Sequence, residues 1–402
     1  MLTRQGWLLG IGAIILGVGG RVLGLVELIA LGVVAAALLI GCLILVRSSR
    51  LELSVGRVLH PSRVHVGSPS RVELTVRNQR KRATPVLRLR DDVSGTRGAD
   101  LLVPPLAPNE RTVAAYRLPT DRRGLVRVGP LKVVVGDPFG LATVATVGAP
   151  AVQLTVLPRV EDIEPLPRTS GPDPQAGVRR MNAVGRHGDE FYALRPYTVG
   201  DDLRRVHWPS SARTDDLMVR QNEEPWQHRT TVLLDVRTSA HDDDSLELAV
   251  SVAASVIMAT AHREDLLRLM TTDGYDSEHS TGMEHTQSIL EHLAVVPASG
   301  GASLRRSVEV LQQQGRGGAL VVVLAAVPDD DLVLVNSLRH RFGSLTVVHL
   351  DRSAWDREAP VGAATAASAT TLRVSRDAPF RTAWNGYVRA RRGRTAGVGA
   401  LR

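Results

Sequence analysis

Two apolar stretches near the start, GWLLGIGAIILGVGG (Gly6–Gly20) and LIALGVVAAALLIGCLILV (Leu28–Val46), decide the fold of this chain. The second contains 19 residues and no charge. A helix needs about 20 apolar residues to cross the hydrocarbon core of a bilayer. The first reaches a similar length if it extends past Arg21, because a lone arginine can snorkel to the interface. Residues 1–50 are therefore predicted to form a transmembrane helical hairpin that reverses at Gly19, Gly20 and Gly24.

Two other interpretations stay open for this segment: a cleaved signal peptide followed by one anchor, and a single span. A second apolar stretch follows the first at once, which favours the hairpin. Arg4 precedes the hairpin and Arg47 and Arg50 follow it, whereas Arg21 near the reversal is balanced by Glu27. Basic residues prefer the cytoplasmic side. We expect a multi-pass cell-membrane protein with two spans and cytoplasmic soluble domains.

The composition of the remaining chain is that of folded domains. Of the 402 residues, 44% are hydrophobic, and the formal net charge is +8. The arginines are dispersed rather than gathered in a stripe, so no nucleic-acid partner is expected. Residues 392–402 are predicted to form a basic flexible tail. The single cysteine, Cys42, excludes disulfides within the chain and thiolate metal clusters.

Residues 51–160 are predicted to form an immunoglobulin-like β-sandwich. Short segments that alternate apolar and polar residues are separated by turn signals containing proline, glycine and serine. They lie at Arg63–Val66, Arg71–Arg77, Val86–Arg90, Thr112–Leu118, Gly124–Val128, Leu131–Val135 and Val152–Leu157. Nothing in this region has the pattern of a catalytic site.

A proline-rich connector and a charged segment occupy residues 161–229, and residues 230–391 alternate strands with helices. The predicted strands are Thr230–Val236, Leu266–Thr271, Ala319–Ala325, Ser344–Leu350 and Leu372–Val374. The predicted helices are Ser245–His262, Thr286–Ala294, Ser303–Gln314, Asp330–Phe342 and Pro379–Arg391. This order indicates an α/β domain with a doubly wound, mainly parallel sheet. Its functional edge should lie where the strands end, near a topological switch point.

The densest group of functional side-chain types lies in residues 188–221, GDEFYALRPYTVGDDLRRVHWPSSARTDDLMVRQ. This run resembles the signature of the domain-of-unknown-function family 58. The matching positions are Glu190, Phe191, Leu194, Arg195, Tyr197, Gly200, Asp201, Asp202, Arg204, Trp208, Ser211, Ala212, Arg213, Leu217, Val219 and Arg220. Upstream, Gly136–Leu141 (GDPFGL) also fits the family. In that turn, Gly140 is predicted to take a positive φ, and Phe139 to plug the end of the sandwich.

The resemblance implies an architecture and a class of partner more firmly than a reaction. Members of the family are membrane-anchored proteins with a von Willebrand factor A-like domain, and they are commonly associated with MoxR-type AAA+ ATPases. We therefore expect a non-enzymatic interaction or adaptor protein that acts with such an ATPase in the assembly or remodelling of envelope-associated proteins. No cofactor is expected, and bound Mg²⁺ stays open as an alternative.

Residues 179–229 contain nine arginines and eight acidic residues, a balance that suggests an ion-pair network. Three interpretations stay open: a structural network, a docking surface and a metal-dependent hydrolase. The docking surface would use Glu190, Arg195, Asp201, Asp202, Arg204, Trp208 and Arg213. The hydrolase would use His187, Asp189, Glu190, Asp201, Asp202 and His207. An outward-facing adhesion module is a further interpretation that requires the opposite membrane topology.

A second candidate site, Asp235-Val236-Arg237-Thr238-Ser239, follows the first strand of the α/β domain. In a von Willebrand factor A-like domain, D-x-S-x-S at this place binds Mg²⁺ with help from a later Thr and Asp. Here Arg237 replaces the first serine, and the residues directly after Ala319–Ala325 lack the expected aspartate. The resemblance therefore implies a degenerate, metal-free site of Asp235, Arg237 and Ser239. Our hypothesis is that Arg237 pairs with Asp235 in place of the cation.

Common enzymatic motifs are missing from the sequence. It has no P-loop G-x-x-x-x-G-K-[ST], no H-E-x-x-H and no G-x-S-x-G. The motif evidence thus points towards binding rather than catalysis.

Overall fold

The computed structural model describes residues 2–48, 52–167, 191–197, 206–214, 216–222, 228–314, 317–325, 328–361 and 370–399. The chain divides into two compact units, one of Met1–Val160 with Leu290–Val296 and one of Glu161–Ile289 with Pro297–Arg402. The first unit contains two apolar helices and a β-rich domain, and the second contains an α/β domain.

Two apolar helices, α1 (Arg4–Leu23) and α2 (Val26–Ser48), open the chain and pack on each other. Both are long and apolar enough to cross a membrane. Helix α1 ends at Gly24, whose φ of 72° is the left-handed conformation that glycine adopts readily. The predicted reversal is therefore shorter than expected, because Gly19 and Gly20 lie inside α1. A third helix of this length and apolarity, Asp243–Ala261, is largely buried inside the second unit.

Nine strands follow in the first unit. They are β1 (Leu53–His60), β2 (Arg63–His65), β3 (Arg71–Asn78), β4 (Leu87–Val93), β5 (Ala99–Val103), β6 (Arg111–Arg117), β7 (Gly124–Gly136), β8 (Thr143–Ala149) and β9 (Val152–Leu157). One sheet has the order β1-β3-β6, and the other has the order β2-β9-β7-β4-β5, with β8 paired to β7. Side chains from both sheets share one buried core, among them Leu74, Leu89 and Leu154. This arrangement is a β-sandwich.

The sandwich differs from the sequence prediction in the number of strands. The segments predicted at Gly124–Val128 and Leu131–Val135 form the single strand β7. Strands β1, β5 and β8 were not predicted. Their residues alternate only between exposed and half-buried positions, apart from one buried end residue in β5 and in β8. A weakly amphipathic strand of this kind carries little period-two signal.

In the second unit, β10 (Phe191–Pro196) and β11 (Met218–Asn222) form a two-stranded sheet. Helix α3 (Trp208–Thr214) lies between these two strands in the sequence. The strands of the main sheet are β12 (Arg229–Leu234), β13 (Leu266–Thr271), β14 (Ala319–Leu324), β15 (Ser344–Leu350) and β16 (Thr371–Val374). Its helices are α4 (Asp243–Ala261), α5 (Met283–Val295), α6 (Leu304–Gln314), α7 (Asp329–Asn336) and α8 (Phe380–Gly399). All neighbouring strands are parallel, in the order β13-β12-β14-β15-β16.

Helices cover this parallel sheet because its strands are apolar on both sides. Residues of α6 and α7 join a core cluster with Leu233, Leu320 and Val322 of the sheet. Helix α4 contributes nothing to that cluster but contacts β12, β13 and β14. The domain is therefore a doubly wound α/β fold with helices on both faces.

The predicted flexible tail at residues 392–402 is wrong for residues 392–399, which continue α8. The arginines at the start of this region are paired rather than free. Arg389 and Arg392 contact the Glu164 carboxylate at 2.7 and 2.9 Å. The buried Trp384 donates its indole N–H to the Glu164 carbonyl at 2.7 Å. The connector thus packs along α8, which extends the helix beyond the point that its composition suggested.

Candidate functional site

The candidate site lies where β12, β13 and β14 end. Strand β12 is followed along the chain by its neighbour β13, whereas its other neighbour, β14, is the third strand of the sheet. The strand order therefore reverses between β12 and β14, and such a switch point is the usual ligand-binding edge of an open α/β sheet. Asp235 follows β12 directly, and none of its surface is exposed.

The Arg237 guanidinium forms a bidentate ion pair with the Asp235 carboxylate. The Nε atom of Arg237 lies 3.0 Å from each Asp235 oxygen, and its Nη2 atom lies 2.7 Å from Oδ2. The backbone N–H of Arg237 also donates to Oδ1 at 3.1 Å. A planar guanidinium matches a carboxylate in this way, with several charge-assisted hydrogen bonds in one geometry. The pairing that we hypothesised from the sequence is present in the structure.

Two further residues complete the site, and sequence reasoning missed both. Asp331, in the first turn of α7, accepts from Arg237 Nη2 at 2.7 Å. Thr272, directly after β13, donates its hydroxyl to Asp235 Oδ1 at 3.1 Å and accepts from the Val236 N–H at 2.9 Å. From the sequence alone, the aspartate expected directly after Ala319–Ala325 is missing. The first turn of α7 supplies an acidic residue to the site instead, through a contact between residues 94 positions apart in the sequence.

The residues present do not fit a Mg²⁺ site. Magnesium requires near-octahedral coordination by oxygen atoms, usually with several bound waters. Here the position between the two carboxylates is filled by nitrogen donors of Arg237. Burial acts to lower the pKa of Arg237, but its bonds to Asp235 and Asp331 outweigh this and raise the pKa above its ordinary value. The guanidinium is therefore a permanent internal cation, held by the carboxylate that follows β12 and by one in the first turn of α7.

Beside this ion-pair cluster lies a cleft of about 390 Å³, lined by Ser239, His241, Asp242, Ser245, Arg352 and Trp355 among others. Ser239 is exposed and makes no contact with Asp235 in the described hydrogen bonds. His241 is buried, and its Nδ1 atom lies 3.2 Å from the Ser245 hydroxyl. Its pKa is lowered, above all by burial, although the charge of Asp235 opposes this shift. His241 is thus neutral near pH 7.

The predicted docking residues are only partly within the described chain. Glu190, Asp201, Asp202 and Arg204 lie outside the described residues, and of Arg195 only the backbone, on β10, is described. Trp208 and Arg213 lie on α3 and are both exposed, with Trp208 at 66%. The exposed Trp208 ring is open to solvent, and its role in docking stays a prediction.

The alternative metal cluster is also only partly described. His187, Asp189, Glu190, Asp201 and Asp202 lie outside the described residues. The remaining member, His207, places its Nδ1 atom 2.7 Å from the Ser210 hydroxyl within α3. In the part of the chain that the structure describes, no group of three or more metal-binding side chains converges.

Phe139 does not plug the sandwich as predicted, since 62% of it is exposed. Gly140 has the predicted positive φ, at 70°. Asp137 and Leu141 are the buried residues of this turn, and the Asp137 carboxylate accepts from the N–H groups of Phe139 and Ala142. Because the aspartate folds the turn onto itself, the aromatic ring is left outside the core.

The fold defines a class of protein with two apolar N-terminal helices, a β-sandwich and a parallel α/β domain whose switch point holds an arginine–carboxylate cluster. Residues 193–394 match the family described as protein of unknown function DUF58. The chain belongs to this family, as the signature in residues 188–221 indicated.

Comparison with curated proteins gives no match. Among solved structures, the chain is similar to the CARDB domain of the PF1109 protein from Pyrococcus furiosus, with 20% identity and a TM-score of 0.21 over 26% of this chain and 91% of that one. It is also similar to the alkylpurine DNA glycosylase AlkC of Pseudomonas fluorescens, with 9% identity and a TM-score of 0.19 over 28% of this chain and 33% of that one. TM-scores this low support no conclusion about the chain.

Proposed function

We propose that this protein is a membrane-tethered, non-enzymatic adaptor whose α/β domain is a von Willebrand factor A-like module that binds a MoxR-type AAA+ ATPase. The membrane hairpin keeps the adaptor at the cell membrane, with the soluble domains in the cytoplasm. The complex then acts on envelope-associated proteins. The observation that carries the proposal is the Arg237 cluster, which fills a ligand-binding edge with an internal ion pair instead of reactive groups.

The topology of the α/β domain supports a von Willebrand factor A-like assignment. Residues 275–280 return antiparallel along β13, with the N–H groups of Leu267 and Ser280 each donating to the other's carbonyl at 2.9 and 3.1 Å. This adds an antiparallel edge to an otherwise parallel sheet. Asp235 and Thr272 directly follow β12 and β13, and Asp331 lies in the first turn of α7, after β14. The resemblance implies that a later Thr and Asp assist the first Asp in such a domain.

The exposed face of α3 supports a docking role for the signature segment. Trp208 exposes most of its ring, and the exposed Arg213 lies on the same short helix. Helix α3 is held by backbone contacts, since the His207 N–H donates to the Met218 carbonyl at 2.7 Å and the Met218 N–H donates to the Ser211 hydroxyl at 2.8 Å. Exposed tryptophan and arginine side chains on a rigid support are typical centres of protein interfaces.

The charges at the helix ends support the proposed cytoplasmic orientation. Arg4 and Arg47 lie at the end of the hairpin from which the soluble domains continue, and both are exposed. Basic residues flank membrane spans preferentially on the cytoplasmic side. A MoxR-type ATPase that uses cytoplasmic ATP would then have access to α3.

A binding experiment with full-length protein in nanodiscs tests this function. Trp208→Ala and Arg213→Glu should each lower the amount of purified MoxR-type ATPase captured by at least about tenfold, since interface anchors of this kind contribute about 2 kcal/mol or more. Arg381→Glu, a charge reversal at an exposed position of α8, should leave capture unchanged. Melting temperatures of all three variants should equal that of the wild type. Wild-type protein that captures no ATPase, or that hydrolyses a substrate in a metal-dependent reaction, would refute the proposal.

A further inference from the structure

The turn at residues 136–141 joins the β-sandwich to the start of the membrane hairpin. The Thr3 N–H donates to the Leu141 carbonyl at 2.9 Å, and the Thr3 hydroxyl donates to the Gly140 carbonyl at 2.6 Å. Leu2 forms a β-bridge with Ala142. A Cβ atom on Gly6 would collide with the Leu141 carbonyl oxygen, so the first turn of α1 lies directly against this turn.

The second helix of the hairpin reaches the same turn. Asp137 lies against Cys42 of α2, and the Cys42 thiol donates a hydrogen bond to its carboxylate. Burial acts to raise the pKa of Asp137, but the bonds from the Ala142 and Phe139 N–H groups and from Cys42 outweigh it and lower the pKa. The carboxylate is therefore ionised, and its hydrogen bonds stabilise the turn. The turn is fixed to both helices at one end of the hairpin.

The position of Cys42 sets the depth of the turn. Cys42 precedes the end of α2 at Ser48 by six residues, which corresponds to about 9 Å along a helix. Gly6, on the other helix, is within the first turn of α1. Helices of 20 and 23 residues are about 30 and 35 Å long, close to the thickness of the hydrocarbon core. The turn consequently lies beside the hairpin at the boundary between hydrocarbon and headgroups.

At this depth the turn presents an unpartnered aromatic ring. Phe139 is 62% exposed, whereas Phe342 and Phe380 of the α/β domain are 7% and 2% exposed. Trp7, one turn into α1, is also 62% exposed, as expected for an interfacial aromatic residue. A large apolar ring on a rigid turn gains free energy when lipid replaces water around it.

We propose that Phe139 inserts into the lipid bilayer beside the hairpin. The 136–141 turn is then a third membrane contact, in addition to the two spans, and it sets the orientation of the β-sandwich against the cytoplasmic leaflet. Thr3 and Asp137 hold the turn to the hairpin, and insertion of Phe139 would add a lipid contact on the sandwich itself.

Fluorine NMR on the full-length chain in phosphatidylcholine–phosphatidylglycerol nanodiscs tests the proposal. Phenylalanine is replaced biosynthetically by a fluorinated analogue, and the chain contains only four such positions. The Phe139 resonance is assigned by its loss in Phe139→Leu, a conservative change at an exposed site. A doxyl group near the headgroup end of the lipid chains should broaden this resonance more than an aqueous gadolinium chelate does.

The buried rings of Phe342 and Phe380 are internal controls, because neither reagent should broaden them strongly. Stronger broadening of Phe139 by the gadolinium chelate would show a ring in water and overturn the proposal. A Phe139 resonance that neither reagent broadens would show a ring buried in protein, and would overturn it equally. Because the experiment uses the isolated chain, its outcome is independent of whether the α/β domain binds an ATPase.

Discussion

At the scale of single residues, Arg237 determines the chemistry of the candidate site. Its guanidinium contacts Asp235, which has no exposed surface, and Asp331, whose side chain is 16% exposed. Removing one partner of a buried ion pair is costly because the remaining charge has no counter-ion. The cluster is therefore a structural unit, and a cation of another kind should be able to replace the arginine.

Arg237→Ser is expected to convert the cluster into a metal site. The substitution removes the guanidinium, supplies a hydroxyl at the position where D-x-S-x-S has one, and leaves Asp235, Thr272 and Asp331 in place. Equilibrium dialysis of the full chain with Mn²⁺ should give about one ion per variant chain, because carboxylate and hydroxyl oxygens suit such hard cations.

Arg237→Ser combined with Asp235→Asn is the matched control and should bind none. If the wild-type chain binds a stoichiometric ion that Asp235→Asn abolishes, the role of Arg237 as an internal cation is wrong.

One buried and one half-buried histidine of the α/β domain make its stability sensitive to pH. Burial lowers the pKa of His241 and of His349 below their ordinary value of 6.5. In the unfolded chain both take up protons near pH 6.5, whereas the folded chain resists protonation. The neutral histidines therefore contribute their full share to the free energy of unfolding above pH 6.5. This contribution is lost as the pH falls from 6.5 towards the lower pKa values of the two histidines in the folded chain.

His241→Gln should reduce this pH dependence, by at most about 1.4 kcal/mol per pH unit for one proton. The pH dependence of stability is measured by hydrogen exchange of the β12 amides in the full chain between pH 7.5 and pH 5. The exchange rates are corrected for the intrinsic rates. His340→Gln, a change at an exposed histidine, should leave the slope as in the wild type. An unaltered slope in His241→Gln would mean that this histidine is not held neutral.

At the scale of elements, the contact between α1 and the 136–141 turn depends on the absence of a side chain at Gly6. A Cβ there would overlap the Leu141 backbone oxygen, which has no freedom to move because Thr3 also binds it. Gly12, in the same helix, has open space around it. The two glycines thus have the same helix propensity and opposite packing environments.

Gly6→Ala is expected to destabilise the first unit by about 1–3 kcal/mol, the usual cost of overpacking. Gly12→Ala should be neutral or stabilising by up to about 1 kcal/mol, because alanine is the better helix former. Thermal unfolding of the full chain in nanodiscs compares the two variants. Equal melting temperatures would show that α1 does not pack against the turn in the membrane.

Elements also show where sequence patterns sufficed. Strands β13 and β15 begin and end at the predicted residues, since continuous apolar runs between turn signals mark fully buried strands. Strands β1 and β8, which alternate only weakly, were missed because half-buried positions tolerate polar residues. The length of α8 was underestimated because the arginines and glycines near the end of the chain are typical of a flexible tail. Arg389 and Arg392 instead pair with Glu164, which is a tertiary contact.

At the scale of the whole molecule, the two N-terminal helices are long and apolar enough to cross a membrane. A hairpin of two such spans would place both of its ends on one side of the bilayer. Helix α4 has a similar length and apolarity, but its residues form part of the core of the α/β domain. Hydropathy alone does not distinguish these two environments, because a buried helix and a membrane span are both apolar on all faces.

Cysteine labelling of intact cells tests this topology in a Cys42→Ser background, which removes the only native cysteine. Leu25→Cys, in the reversal of the hairpin, should react with a membrane-impermeant maleimide from outside. Glu52→Cys, just before β1, should react only after permeabilisation. The reverse pattern would place the soluble domains outside and favour an adhesion module.

The sequence by itself determined the apolar helices, the change from β-rich to α/β segments, the family and the Asp235–Arg237 pair. Each of these depends on residues close together in the chain, whose spacing reflects local geometry. Only the tertiary structure decided that Thr272 and Asp331 complete the site, that Phe139 is exposed and that the 136–141 turn holds both hairpin helices. These contacts join residues far apart in the sequence, so they depend on strand order and packing, which no local pattern encodes.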